Sequence, residues 1–277
     1  MDAFPAVALI GGGNMANALA SGFLNQQYPK NQLQVIEVAK DLREHWIARG
    51  INATETPTSA LTGCSVWIFA VKPQQMREVV LQCKPWMTAN TLVISIAAGI
   101  SIGALGSWLG SELEPYPNVV RCMPNTPALV GAGVTGLAAP EALSQQDRDT
   151  ATRLLSAVGQ VVWVKDDDAI DAVTALSGSG PAYVFLFLES LIKGGVALGL
   201  THIQAKDLAL ATLSGATKLA ANSTEEVSIL RERVTSKGGT TAAALAVMNE
   251  AHFAEIIARA MQAADQRAAE LSIEYGA

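Results

Sequence analysis

Two short glycine stretches lie near opposite ends of the chain, and both are of the kind that hold anions through the main chain. The first is "ALIGGGNMANAL", where Gly11, Gly13 and Ala16 fit the spacing G-x-G-x-x-[GA]. It directly follows an apolar run and directly precedes a helical one. In that setting the first glycine permits a tight turn, the second lets a pyrophosphate approach the backbone, and the small third residue keeps helix and strand close. Free N–H groups at the helix start, around Asn14 and Met15, then meet the anion. The spacing alone is common. Combined with the strand–turn–helix context it predicts dinucleotide binding.

The second stretch is "VTSKGGTTAAAL", with Ser236, Lys237, Gly238, Gly239, Thr240 and Thr241 at the mouth of a helix. Without side chains at Gly238 and Gly239, successive N–H groups can converge on one anion, and the following helix adds its positive end. An interhelix turn with Thr240 as helix cap accounts for the same residues. The residues themselves leave both readings open.

Other candidates surround the first loop. Glu37 falls near the end of the second predicted strand, where a carboxylate accepts ribose hydroxyls and favours NADH. Lys40 and Arg43, just beyond it, can face a 2′-phosphate and favour NADPH, and all three also fit as solvated residues of a strand–helix turn. The choice of dinucleotide stays open. Val71, Lys72 and Pro73 follow a strand at the carboxyl edge of the predicted sheet, where ligands of such sheets lie. Ala97 and Ala98 follow the strand "VISI" and allow close approach. Asn125 and Thr126 in "MPNTP" fit either a wall beside a substrate or a structural turn. Consecutive aspartates in "KDDDAID" point different ways and suit a helix start, so no metal site is predicted. His45, His202 and His252 lie outside every motif, and no chemistry is assigned to them.

The elements that must position these residues follow from periodicity. Apolar runs at 6–10, 33–38, 66–71, 91–96, 118–123, 133–139 and 160–164 read as strands, with helical stretches at 14–26, 41–49, 74–82 and 101–109 between the earlier ones. Such alternation predicts a mostly parallel sheet covered on both faces. The last strands, with shorter connections, are candidates for antiparallel pairing. Beyond 164–171 only helices are expected, at 182–200, 202–221, 225–234, 241–250 and 252–272, with Ser177–Pro181 ending one helix and opening the next. The helix 182–200 is apolar on nearly every side and reads as a subunit-interface helix. The expected division is a dinucleotide-binding domain over 1–165 and a helical domain over 166–277.

The totals narrow the classes. Of 277 residues, 50% are hydrophobic and only 5% aromatic, a small-residue apolar content suited to close helix packing and an oligomer. The net charge of −6, with no basic run, argues against nucleic acid and acidic membrane surfaces as partners. Three cysteines without a CxxC indicate neither a disulfide framework nor a zinc site. The start lacks a basic n-region, and serines and glycines interrupt the apolar stretch 92–110, so neither a signal peptide nor a membrane span is expected there. The cytoplasm is the expected compartment.

Taken as a set, "IGGGNMA", "FAVKPQ", "RCMPNTPALVGAG", "ALSGSGPAYVF" and "VTSKGGTTAAAL" make the chain resemble the pyrroline-5-carboxylate reductases over nearly its whole length. The resemblance implies an α/β Rossmann-type N-terminal domain followed by an all-α C-terminal domain that interlocks with a second subunit, in a homodimer or a higher oligomer of dimers. It implies NADPH or NADH as reductant, a small cyclic imine carboxylate as substrate, and an active site between the cofactor of one subunit and helical-domain loops of the dimer. Ser236, Gly238, Gly239, Thr240 and Thr241 then hold the substrate carboxylate, with the Thr241 hydroxyl on the ring nitrogen as the catalytic group. Asp167 falls where the family has a carboxylate that contacts substrate. Gly11, Gly13, Asn14, Met15, Val71, Lys72, Pro73, Ala97 and Ala98 border the cofactor. The family usually has proline where Lys237 stands. A β-hydroxyacid dehydrogenase-like enzyme is a rival, but its candidate lysines, Lys193 and Lys206, lie in no matching motif. A non-catalytic dinucleotide sensor has no need of Gly-Gly-Thr-Thr.

Overall fold

The structure, a computed structural model, describes residues 4–276. Its chain order begins β1 (Val7–Ile10), α1 (Asn14–Asn25), β2 (Leu33–Ile36), α2 (Lys40–Ala48), β3 (Asn52–Thr54), β4 (Val66–Phe69) and α3 (Pro73–Cys83). It continues with β5 (Leu92–Ser95), α4 (Ile102–Leu109), β6 (Val119–Met123), β7 (Gly133–Ala138), α5 (Gln145–Leu155) and β8 (Gly159–Trp163). The strands form one eight-stranded sheet in the order β3-β2-β1-β4-β5-β6-β7-β8. The chain switches direction of travel across the sheet between β1 and β4, the place where open α/β sheets bind ligands.

Alternate side chains explain why the strands are unbroken apolar runs. Val7 and Leu9 join a cluster with Leu19, Trp46 and Leu154 on one face, while Ala8 and Ile10 join Met76, Val80 and Leu105 on the other. A strand covered on both sides has no polar face to show. Burial also holds the three cysteines as thiols, pushing Cys64 up to about 11 and Cys83 up to about 12, with Cys122 raised as well.

The sheet departs from the sequence expectation in three places. β3 is an additional edge strand, paired parallel to β2. α5 is an additional helix, capped by the Ser144 hydroxyl, which accepts the Asp147 N–H. Only β6 and β7 pair antiparallel; β8 runs parallel to β7, with α5 as its connection.

The chain forms two compact units: the residues up to Ser179 together with those from Ala263 on, and Gly180–Gln262. In the first unit α6 (Asp167–Val173) passes into a π-helical turn, Thr174–Gly178, instead of ending at Ser177. Two interactions favour that turn. The Ser179 N–H donates five residues back to Thr174 O at 2.8 Å. Pro181, which has no N–H, cannot serve Ser177 O, and Asn125 Nδ2 donates to that oxygen at 3.1 Å instead.

The second unit is built from α7 (Gly180–Ala197), α8 (His202–Ala221), α9 (Val227–Arg233), α10 (Thr240–Glu250) and the first part of α11 (Phe253–Gly276). Thr201 and Gln204 close a reciprocal capping box at the start of α8. α7 has no buried residue, and Val184, Phe185 and Leu186 are each more than half exposed. The helical run Asp167–Ala197 is long and apolar enough to cross a membrane by length and composition, and only 6% of its most apolar window is covered within one chain.

Candidate active site

The N-terminal loop is shaped by what its glycines permit. Gly11 has φ +97°, and a Cβ there would lie 2.7 Å from the Ala70 carbonyl oxygen, so turn and close approach both require glycine. Its N–H donates to Ile36 O at 2.8 Å, tying the loop to β2. Gly12 is held from two sides: its N–H donates to Glu37 Oε2 at 2.7 Å, and Trp46 Nε1–H donates to its carbonyl at 3.0 Å. Gly13 is the N-cap of α1 without a side-chain cap, and a Cβ added there would meet nothing within 4 Å. The helix start is therefore bare on the side where a pyrophosphate would come, and that open space fits a dinucleotide.

Gly11 and Gly13 open onto a cleft of about 520 Å³ at the carboxyl ends of β1, β2 and β4, lined also by Glu37, Val71 and Lys72. Lys72 is the N-cap of α3 and Pro73 its first residue, so the lysine is exposed by a helix start that needs no N–H there. Asn14 is exposed beside Gly13, whereas the Met15 side chain packs on the core and leaves only its N–H for a ligand. Ala97, after β5, is buried with its N–H on Ser95 Oγ, and Ala98 is half-buried. A larger cavity of about 900 Å³ opens at the opposite sheet edge, beside Val66, Leu92 and Asn118 at the strand beginnings. Ligands of open α/β sheets bind at the carboxyl ends, which selects the smaller cleft. Gly11→Ala is expected to lower stability by about 1–3 kcal/mol from the left-handed backbone alone, read as a lower urea midpoint at unchanged slope.

In the second unit Ser236–Gly239 is a turn, closed by Gly239 N–H on Ser236 O at 3.0 Å, with Gly238 at φ +75°. Gly239, not Thr240, is the N-cap of α10, and no side chain caps it. Thr240 and Thr241 are therefore its first two residues, and their N–H groups are among those a helix start leaves without a helical acceptor. Ser236 is exposed beside them, Thr241 is half-buried, and Lys237 is exposed. The loop presents the start of an eleven-residue helix and three hydroxyls, with no carboxylate among Ser236–Thr241.

Two groups that sequence reasoning passed over organise the first unit around β6. Arg121, 1% exposed, donates through Nη1 to Asp167 Oδ1 at 2.8 Å and through Nη2 to Asp171 Oδ1 at 2.6 Å. Asp167 also accepts the Ile102 N–H at the start of α4, at 3.1 and 3.2 Å to its two oxygens. Both carboxylate oxygens of Asp167 thus have donors within the first unit. An arginine inside the strand "VVRCM" was the signal, since a buried guanidinium needs carboxylate partners. Asn125 likewise has both ends engaged, through Ser177 O and the Val134 N–H, so it staples a turn.

Burial raises Asp171 above its ordinary 3.8 despite the neighbouring Arg121. A carboxyl raised on folding adds stability below its unfolded value and loses it as pH climbs through the folded one. Wild-type stability measured against Asp171→Asn should therefore fall as pH rises from about 4 towards neutrality. Parallel pH profiles from urea unfolding would contradict that assignment.

Two family models match separate parts of the chain: "Pyrroline-5-carboxylate reductase dimerisation" over residues 167–271 and "NADP oxidoreductase coenzyme F420-dependent" over residues 6–99. The chain is 43% identical over 269 residues to a pyrroline-5-carboxylate reductase of Haemophilus influenzae, covering 96% of this chain and 97% of that one. It is 41% identical to one of Pseudomonas aeruginosa, covering 98% of each. The chain belongs to the pyrroline-5-carboxylate reductase family. A solved pyrroline-5-carboxylate reductase of Coxiella burnetii superposes with TM-score 0.89 at 37% identity, over 97% of this chain and 99% of that one. Another pyrroline carboxylate reductase, from Plasmodium falciparum with NADP bound, gives TM-score 0.85 at 30% identity, over 97% and 98%. Within the pyrroline-5-carboxylate reductase family, then, this member carries both glycine loops in folded form, together with the expected α/β Rossmann-type sheet and helical C-terminal region.

Proposed function

We propose that the chain reduces 1-pyrroline-5-carboxylate to L-proline, the last step of proline synthesis, with NADPH or NADH as reductant. What carries this reading is the uncapped glycine loop Ser236–Thr241 in a chain alike over 96–98% of its length to relatives named pyrroline-5-carboxylate reductase.

Gly11, Gly13 and the N–H groups of Asn14 and Met15 hold the pyrophosphate, and the backbone of Val71, Lys72 and Pro73 borders the nucleotide. Ala97 and Ala98 keep side-chain bulk away from the nicotinamide. When bound, the nicotinamide supplies a hydride to the imine carbon. The chain's own part is positioning and charge. Gly238 and Gly239 clear space for the substrate carboxylate, which accepts N–H bonds from Gly239, Thr240 and Thr241 and the Ser236 hydroxyl. The Thr241 hydroxyl orients the ring nitrogen and serves proton delivery to it. A protonated imine already accepts hydride readily, so no strong base is needed. Asp167, whose oxygens are held by Arg121 and Ile102, keeps a lone pair on Oδ2 for a donor on the substrate.

The functional division places cofactor binding in 1–165 and substrate binding with dimerisation in 166–277. The exposed apolar residues of α7 pack against a second copy, giving a homodimer or an oligomer of dimers in the cytoplasm. The test is a spectroscopic assay: consumption of NADH or NADPH that depends on the cyclic imine and yields L-proline by chromatography. No imine-dependent consumption from either nucleotide with folded protein would overturn the reading.

A further inference from the structure

The adenosine side of the N-terminal cleft carries an unequal set of charges. Glu37 follows the last residue of β2, is 8% exposed, and lines the cleft. Its two oxygens accept the Gly12 and Ala39 N–H groups, each at 2.7 Å. Those bonds fix the carboxylate in place and leave each oxygen a further lone pair for a hydroxyl donor. Glu55 and Glu78 line the same cleft, against Lys72 as its lining cation.

Of the two basic residues nearest Glu37 in the chain, Arg43 is occupied elsewhere and Lys40 is not among the residues that line the cleft. Arg43 donates to the carbonyls of Glu37 and Val38 at 2.8 and 3.0 Å and to Glu55 Oε2 at 2.9 Å. To meet a phosphate it would have to abandon two carbonyls at the end of β2 and leave Glu55 unpaired. Lys40 is well exposed on the first turn of α2 and pairs with Glu44 at 3.7 Å. A ribose with free hydroxyls finds acceptors on Glu37. A 2′-phosphate, bringing nearly two further negative charges, finds a fixed carboxylate and no uncommitted guanidinium.

We propose that this cleft selects NADH over NADPH and that Glu37 is the residue that makes the selection. The inference rests on the dinucleotide reading of the Gly11–Gly13 loop, and its test separates the two. Calorimetric titration of the full-length protein with NADH and with NADPH should give at least about tenfold tighter binding of NADH. Glu37→Gln should shrink that ratio at least about fivefold, chiefly by strengthening NADPH. Because glutamine places a donor against a main-chain N–H, melting curves must show the variant folded. If it is not, wild type and Glu55→Gln decide: freeing Arg43 should reduce the ratio about threefold. NADPH bound as tightly as NADH by wild type, or a ratio unmoved in folded Glu37→Gln, overturns the selection while leaving the loop's role intact. Binding of neither nucleotide overturns the loop's role, and the selection with it.

Discussion

Arg121→Met should destabilise the protein by about 3–5 kcal/mol, the loss that follows when one partner of a buried ion pair is removed and the other is left behind. Here two carboxylates lose their partner. Asp171 is 7% exposed and already raised by burial, so it would take up a proton rather than remain charged in a dry site. The damage reaches three elements, because Asp167 also receives the Ile102 N–H and so connects β6, α6 and the start of α4. The triad is not optimised for stability alone. Arg121 Nε is buried without a hydrogen-bond partner among the described residues, and an unmet buried donor costs about 1–3 kcal/mol. Urea unfolding of Arg121→Met measures the loss directly. In the background Asp167→Asn/Asp171→Asn the same substitution should cost markedly less, since no carboxylate then remains uncompensated. Equal costs in both backgrounds would mean that the guanidinium acts through packing.

That triad also shows where the sequence stops being legible. Local requirements could be read: Gly11 stands where φ is positive, Gly13 where a side chain would fill the cleft, and apolar runs where both sheet faces are covered. Pairings over long separations could not. Arg121 and Asp171 lie 50 residues apart, and nothing in "KDDDAID" says which aspartate turns inward. The same holds for Trp46 on Gly12, a contact set by the packing of α2 rather than by any motif. β3 escaped notice because three residues at a sheet edge, Asn52–Thr54, show no usable alternation. α5 did carry a local signal, Ser144 three residues before Asp147, but its polar sequence offered little apolar periodicity. The cap of α10 turned on one residue: with Gly238 left-handed, the turn places Gly239 at the N-cap, and Thr240 moves inside the helix.

The shift by one residue sharpens what Thr241→Ala should do. Because Gly239 caps α10 and Thr241 is its second residue, alanine removes the hydroxyl without removing a cap, and alanine suits a helix at least as well as threonine. The fold and the N–H groups that receive the carboxylate should survive. Under the proposed reduction, kcat should fall about a hundredfold, the scale of losing one positioned donor at a reacting atom. Calorimetric affinity for NADH and NADPH should change less than about twofold, since the first loop binds the nucleotide without this residue. Thr241→Ser keeps a hydroxyl on the same helical turn and should recover most of the rate, which a purely structural threonine would not require. An alanine variant with full turnover would remove Thr241 from the chemistry, leaving the loop Ser236–Gly239 as an anion holder and assigning proton delivery to solvent.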